Sequence, residues 1–105
     1  MELAKKILLP CGVSLANRLA KSAMSENMAS KDHIPGIKFF NAYSKWSQGG
    51  TGLIITGNVM VDSQHRGEAN NVVIEEGIEN IKELKNWAKS SDGTQSKIWV
   101  QLNHP

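Results

Sequence analysis

Four glycines crowd the stretch QGGTGLIITGN, Gln48 to Asn58. Glycine-rich turns are where backbone N–H groups cradle phosphates. A phosphate loop or dinucleotide fingerprint places its glycines after a strand and before a helix, so that the anion meets the helix N-terminus. Here Gly49, Gly50 and Gly52 follow a helical pattern and precede the β-branched run Leu53 to Thr56. They make a helix-to-strand turn, on the side of a parallel sheet away from its ligands, and a phosphate loop is rejected. Gly57 comes after the run, where it either ends the strand or lets a flat ligand approach the backbone. Two polar groups stand near other strand ends. Gln101 offers an amide, donor and acceptor together, and Ser25 offers a hydroxyl. From the residues alone, Gln101 is an exposed strand end and Ser25 a helix or turn cap. His33, His65 and His104 lack metal-ligand spacing, with Cys11 far from them in sequence, so no metal is expected. His65 and Arg66 stand in the loop after Thr56, within reach of a ligand and equally suited to solvent.

Composition narrows the classes. A chain of 105 residues allows one small domain. Its net charge is +2, from twelve Lys and Arg against ten Asp and Glu. The basic residues are scattered (Lys5, Lys6, Arg18, Lys21, Lys38, Lys45), the pattern of ordinary solvated faces, so nucleic acid and anionic membranes are not expected partners. The single cysteine, Cys11, permits no intramolecular disulfide and suits a reducing compartment. The opening MELAKKILLPCG has too short an apolar run for a signal peptide. No apolar stretch approaches the roughly 20 residues of a membrane span. The expected location is cytoplasmic.

The elements that must position these groups follow from pattern. Ile7–Leu9 and Val13–Leu15 flank a Pro10-Cys11-Gly12 turn and read as a hairpin. Leu19 to Met24 reads as a strand, and Ser25 to Gly36 as a loop. Between Ile37 and Gln48, Phe39, Ala42, Tyr43 and Trp46 recur at i, i+3, i+4 and i+7, one apolar helical stripe. Gly49-Gly50 ends that helix. Leu53 to Thr56 is a strand suited to cover on both faces, and Gly57 to Asn71 a long polar connection. Val72-Val73-Ile74 is strand or loop. A second helix is expected from Glu75-Glu76, with Ile78, Ile81, Leu84 and Ala88 as its buried stripe, fading at Ser90 to Gly93. Ile98 to Leu102 is the last strand. Hairpin, strand, helix, strand, helix, strand is the alternation of an α/β fold with a parallel sheet and right-handed crossovers.

Three segments, LPCGVSLANRLAKSAMSE, GGTGLIITGNVMVD and WVQLNHP, closely resemble in order and spacing the N-terminal part of the old yellow enzyme family. That resemblance implies an FMN-dependent NAD(P)H:flavin oxidoreductase on a (β/α)8 TIM barrel. It covers nearly the whole chain, with residues 1–18 as a hairpin lid and 19–105 as the first βαβαβ units. A complete barrel needs roughly 250 residues or more, so the chain looks like roughly the first quarter to third of one, inactive alone. Carried over by position, the family places Ala23, Met24 and Ser25 against the flavin ring and Gly57 beside its O4 side. Gln101 falls on the pyrimidine edge. The family often has Thr or Cys where Ser25 stands; Ser keeps the hydroxyl donor but lacks the methyl or thiol. The substrate-anchoring His/Asn or His/His pair of the family lies later, so His104 inherits no such role, and the catalytic residues are not assigned.

The implied activity passes hydride from NADH or NADPH to FMN and on to an activated alkene or related acceptor. The alternative is a non-enzymatic small α/β piece that self-associates or assembles with a complementary chain, because three strands cannot close a barrel and leave sheet edges open.

Overall fold

The computed structural model describes residues 2–79 and 81–105. An antiparallel hairpin opens the chain: β1 (Ile7–Leu8) pairs with β2 (Ser14–Leu15), Ile7 opposite Leu15. Asn17 then ties the hairpin to the turn before the central strand. Its Oδ1 accepts the Gly52 N–H at 2.8 Å, and its Nδ2 donates to the Gly50 carbonyl at 2.6 Å. Gly50 and Gly52 of that turn therefore serve a backbone-to-amide grip.

The parallel sheet is built around β4 (Leu53–Met60). The last strand, β6 (Lys97–Asn103), runs along one edge of β4, from Leu53 opposite Lys97 to Met60 opposite Asn103. The other edge is shared. β3 (Ala20–Lys21) pairs with Leu53 and Ile54, and β5 (Val72–Val73) pairs with Val59 and Met60. β4 is longer than the expected Leu53–Thr56 strand and runs through Gly57, so Gly57 neither ends the strand nor opens a loop. The ladder shifts register there: Ile55 faces Trp99 and Asn58 faces Gln101, leaving Thr56 and Gly57 opposite Val100 alone. This is a β-bulge, a device that bends a strand and re-aims side chains. The buried Thr56 hydroxyl stabilises it, accepting the Gln101 N–H at 3.1 Å and donating to the Gly57 carbonyl at 2.9 Å.

Helix α1 (Ile37–Gln48) has the expected bounds, and Gly50 at φ +88° follows it in the left-handed turn. Phe39 and Tyr43 of its stripe are buried against Ile54, Val59 and Val72. Helix α2 (Ile81–Ala88) starts later than expected. The chain turns at Gly77, φ +85°, which holds residues 75–79 out of the helix; Asn80, inside the expected helix, lies outside the described residues. Ile78 precedes the helix, Ile81 and Ala88 are exposed, and the inward positions are Leu84 and Trp87. Trp87 sets its ring edge-on to Phe39 and Tyr43, at 5.1 Å and 5.4 Å between centroids. The two helices thus meet through aromatic rings, each such pair adding about 0.5–1.5 kcal/mol beyond its buried area.

The expected Leu19–Met24 strand contracts to Ala20–Lys21 for a local reason. Beyond Lys21 the chain closes over β4 at Gly57, and the Gly57 N–H donates to the Glu26 carboxylate at 3.2 Å where a ladder carbonyl would stand. A Cβ on Gly57 would come within 2.3 Å of the Met24 carbonyl oxygen and 2.8 Å of the Ser25 Cα. Both are backbone atoms, so something must shift. Gly57→Ala is expected to lower stability by on the order of 1–3 kcal/mol in denaturant melts. Gly67→Ala, where a Cβ finds its nearest neighbour at 3.7 Å, should leave the midpoint nearly unchanged.

Candidate functional site

The segment leaving β3 holds Ala23, Met24 and Ser25, and the approach to Gly57 presses it onto the middle of β4. On the far side of β4, β6 brings Gln101 opposite Asn58. Neighbouring strands of a sheet lie about 4.8 Å apart. The close approach of the Ser25 backbone to Gly57 and the pairing of Asn58 with Gln101 set Ser25, Gly57 and Gln101 on neighbouring segments, with Gly57 and Gln101 past the midpoints of β4 and β6. Ala23 is half-buried, Met24 and Ser25 are exposed, Gly57 is buried and the Gln101 side chain is exposed.

Several partners of this group were not apparent from sequence. The Ser25 hydroxyl donates to the Glu68 carboxylate and accepts from Asn71 Nδ2 at 3.4 Å. Glu68 and Asn71 come from the connection between β4 and β5, far away along the chain. Glu26, one residue beyond the expected set, is the hub. Its carboxylate accepts the Tyr43 hydroxyl from α1 as well as the Gly57 N–H from β4. Burial foremost, then the neighbouring Glu26 carboxylate, pushes the Tyr43 phenol far above its ordinary value of 10.0. Its position directly after Ser25 was the signal available for Glu26; no local pattern marked Glu68 or Asn71.

The loop past β4 brings together side chains that lie far apart in sequence. Asp62 Oδ2 lies 2.7 Å from His65 Nδ1 and 3.7 Å from His104 Nε2. The Gln64 N–H, and after it His65, hold the Asp62 carboxyl below its usual range. Linear spacing separated His65 from His104; the β4–β6 ladder brings them together. His33 stands apart, its Nε2 3.0 Å from Arg66 Nη1, while Arg66 also donates to the Ala69 carbonyl at 3.0 Å.

A parallel sheet with its polar groups gathered toward the carboxyl ends of β3, β4 and β6 is an arc of a (β/α)8 barrel, whose sites lie on that face. Solved structures agree on the fold. The old yellow enzyme homologue from Zymomonas mobilis superposes with a TM-score of 0.86 at 18% identity, covering 99% of this chain and 28% of that one. The old yellow enzyme from Trypanosoma cruzi gives 0.84 at 24% identity, covering 98% and 27%. The chain belongs to the NADH:flavin oxidoreductase / NADH oxidase family, whose model matches residues 10–105. It is similar to the NADH-dependent flavin oxidoreductase iliE of Hypocrea jecorina, 38% identical over 102 residues, which takes in 94% of this chain and 25% of that protein. The NADH-dependent flavin oxidoreductase iccE of Talaromyces variabilis is 35% identical over 108 residues, 100% of this chain and 26% of that protein. The chain therefore spans about a quarter of the length of these relatives. Among the described residues, no helix is long and apolar enough to cross a membrane.

Tyr43 is the single tyrosine, so tyrosinate absorbance reads this group alone. A phenol whose folded pKa exceeds 10.0 gives its full stabilisation below that pH and loses it as pH rises through the folded value. Alkaline titration should show no tyrosinate near pH 10 and a late, unfolding-linked rise. Glu26→Gln removes the adjacent negative charge and should bring the rise to lower pH.

Proposed function

We propose that the chain supplies the first wall of an FMN site in an oxidoreductase that takes hydride from NADH or NADPH and delivers it to an activated alkene or related acceptor. The gathering of Ser25, on the segment that leaves β3, with Gly57 of β4 and Gln101 of β6 is the observation that supports this reading. The donor set suits the flavin. The exposed Gln101 amide has a donor and an acceptor for the pyrimidine edge, the exposed Ser25 hydroxyl is a donor, and the thioether of Met24 is a soft apolar surface for a ring. FMN, when bound, supplies the hydride relay between nicotinamide and acceptor; the protein supplies placement and hydrogen bonds.

Each residue has a separate task. The bulge at Thr56–Gly57 sets the height of Gln101 through the Thr56 hydroxyl. Glu26 holds residues 23–25 down on β4. Glu68 gives the Ser25 proton an acceptor, so turning that hydroxyl toward a ligand exchanges one hydrogen bond for another. Gly57 keeps the site narrow by allowing the Met24–Glu26 backbone into the space of a side chain.

A second reading has its own support. Among the described residues β6 pairs only with β4, so its other edge is open, and its Trp99, Val100 and Leu102 are 44%, 45% and 62% exposed. Such an apolar edge is a template for strand pairing, so self-association, or docking of a complementary chain, accompanies the flavin reading or replaces it. Sedimentation of the purified chain is expected to show association, and co-purified flavin well below one equivalent.

The decisive test uses a chimera in which this chain replaces the matching quarter of the Hypocrea jecorina relative. Gln101→Leu keeps the volume and leaves buried flavin polar atoms unpaired, at about 1–3 kcal/mol each, so FMN affinity should fall roughly tenfold or more. Gln95→Leu, in the exposed loop before β6, should not change it. Gly57→Val should weaken FMN binding through displacement of residues 24–26. FMN affinity unchanged in Gln101→Leu, with the fold intact, would overturn the assignment.

A further inference from the structure

Two imidazoles converge on one carboxylate oxygen at the carboxyl ends of β4 and β6. Asp62 Oδ2 is 2.7 Å from His65 Nδ1 and 3.7 Å from His104 Nε2, and the three donor atoms all lie within 4.8 Å of one another. An Asp–His hydrogen bond accounts for His65 but not for His104, whose ring centroid sits 5.2 Å from that of His65. We propose that Asp62, His65 and His104 form a binding site for one divalent transition-metal ion of the zinc class.

The donors are held in place before any ion arrives. Asp62 Oδ1 accepts the Gln64 N–H at 2.9 Å, which orients the carboxylate and leaves Oδ2 toward the two rings. The His65 N–H donates to the Asp62 carbonyl at 3.1 Å, closing the turn that returns its side chain to Asp62. The ladder supplies the third ligand: Met60 faces Asn103, and the Val61 N–H donates to the Asn103 carbonyl at 3.3 Å. That sets His104 beside Asp62, although they are far apart in sequence. Outer hydrogen bonds of this kind commonly orient metal ligands.

The chemistry selects the ion. Zinc-to-ligand bonds of about 2.0–2.2 Å place neighbouring tetrahedral donors roughly 3.3 Å apart, between the two observed separations. Two nitrogens among three donors suit zinc, cobalt, nickel or copper and disfavour calcium and magnesium, which take oxygen. A bound ion would replace the proton between Asp62 and His65, and water would fill the remaining position. All three side chains are accessible, so the ion can enter from solvent.

The test is calorimetric titration of the metal-stripped chain with Zn²⁺, with cobalt absorption as a second readout. One equivalent should bind. His65→Ala and His104→Ala should each weaken binding at least tenfold and reduce the cobalt ligand-field bands, whereas His33→Ala, the histidine held by Arg66, should leave both unchanged. Circular dichroism of each variant checks the fold, and these exposed positions are expected to tolerate the changes. Absence of saturable binding, or equal loss in His33→Ala, overturns the proposal. So does wild-type affinity in either His65→Ala or His104→Ala.

Discussion

Nothing larger than hydrogen fits on Gly57, and much of the structure is arranged around that fact. The Met24 carbonyl and the Ser25 backbone occupy the place of a side chain there. A β-strand cannot continue alongside β4 at so close an approach, so β3 stops at Lys21 and a glutamate takes over the vacant ladder donor. β4 in turn bulges at Thr56–Gly57 against β6, and the Thr56 hydroxyl repairs the interrupted ladder at the Gln101 N–H. One contact thus fixes the distance between the first segment and the central strand and, through the bulge, the placement of Gln101 on the next.

The Glu26 carboxylate extends the same constraint to the helix layer. It joins β4 to α1 through Gly57 and Tyr43, and Tyr43 is packed edge-on to Trp87 of α2. A carboxylate in this half-buried place is tolerable because it accepts two hydrogen bonds from buried donors, the Tyr43 hydroxyl and the Gly57 N–H. Site and core are therefore not separate layers. The aromatic cluster that stabilises the helix packing also holds the acid that positions Met24 and Ser25.

The sequence was most informative where local pattern and tertiary role coincide. The stripe Phe39, Ala42, Tyr43 and Trp46 and the glycine pair after it determine α1 with the expected bounds, though only Phe39 and Tyr43 of the stripe are buried; Trp46 is exposed and Ser47 is buried instead. The Pro10-Cys11-Gly12 turn likewise set the hairpin. Failures came where a distant partner decides. Glu75-Glu76 looked like a helix start because carboxylates suit that end of the dipole, but the left-handed Gly77 breaks the run and Trp87 becomes the buried anchor of a later helix. β4 outran its β-branched core because β5 and β6 supply pairing as far as Met60. Of the site, Ser25, Gly57 and Gln101 were named through family resemblance. Glu26, Glu68 and Asn71 were missed because their partners lie at least 17 residues away in sequence. The meeting of Asp62, His65 and His104 was hidden for the same reason, since a sheet register, not a spacing, creates it.

The central claim is that the Gln101 amide, carried by β6 and set by the β4 bulge, makes direct hydrogen bonds to a flavin. The most direct measurement is the side-chain amide nitrogen resonance of Gln101 in the isotope-labelled chimera, followed as FMN is added. The account predicts a large shift that saturates at one equivalent of FMN, with the Gln95 amide unmoved. A Gln101 resonance that stays in place while FMN binds would contradict it.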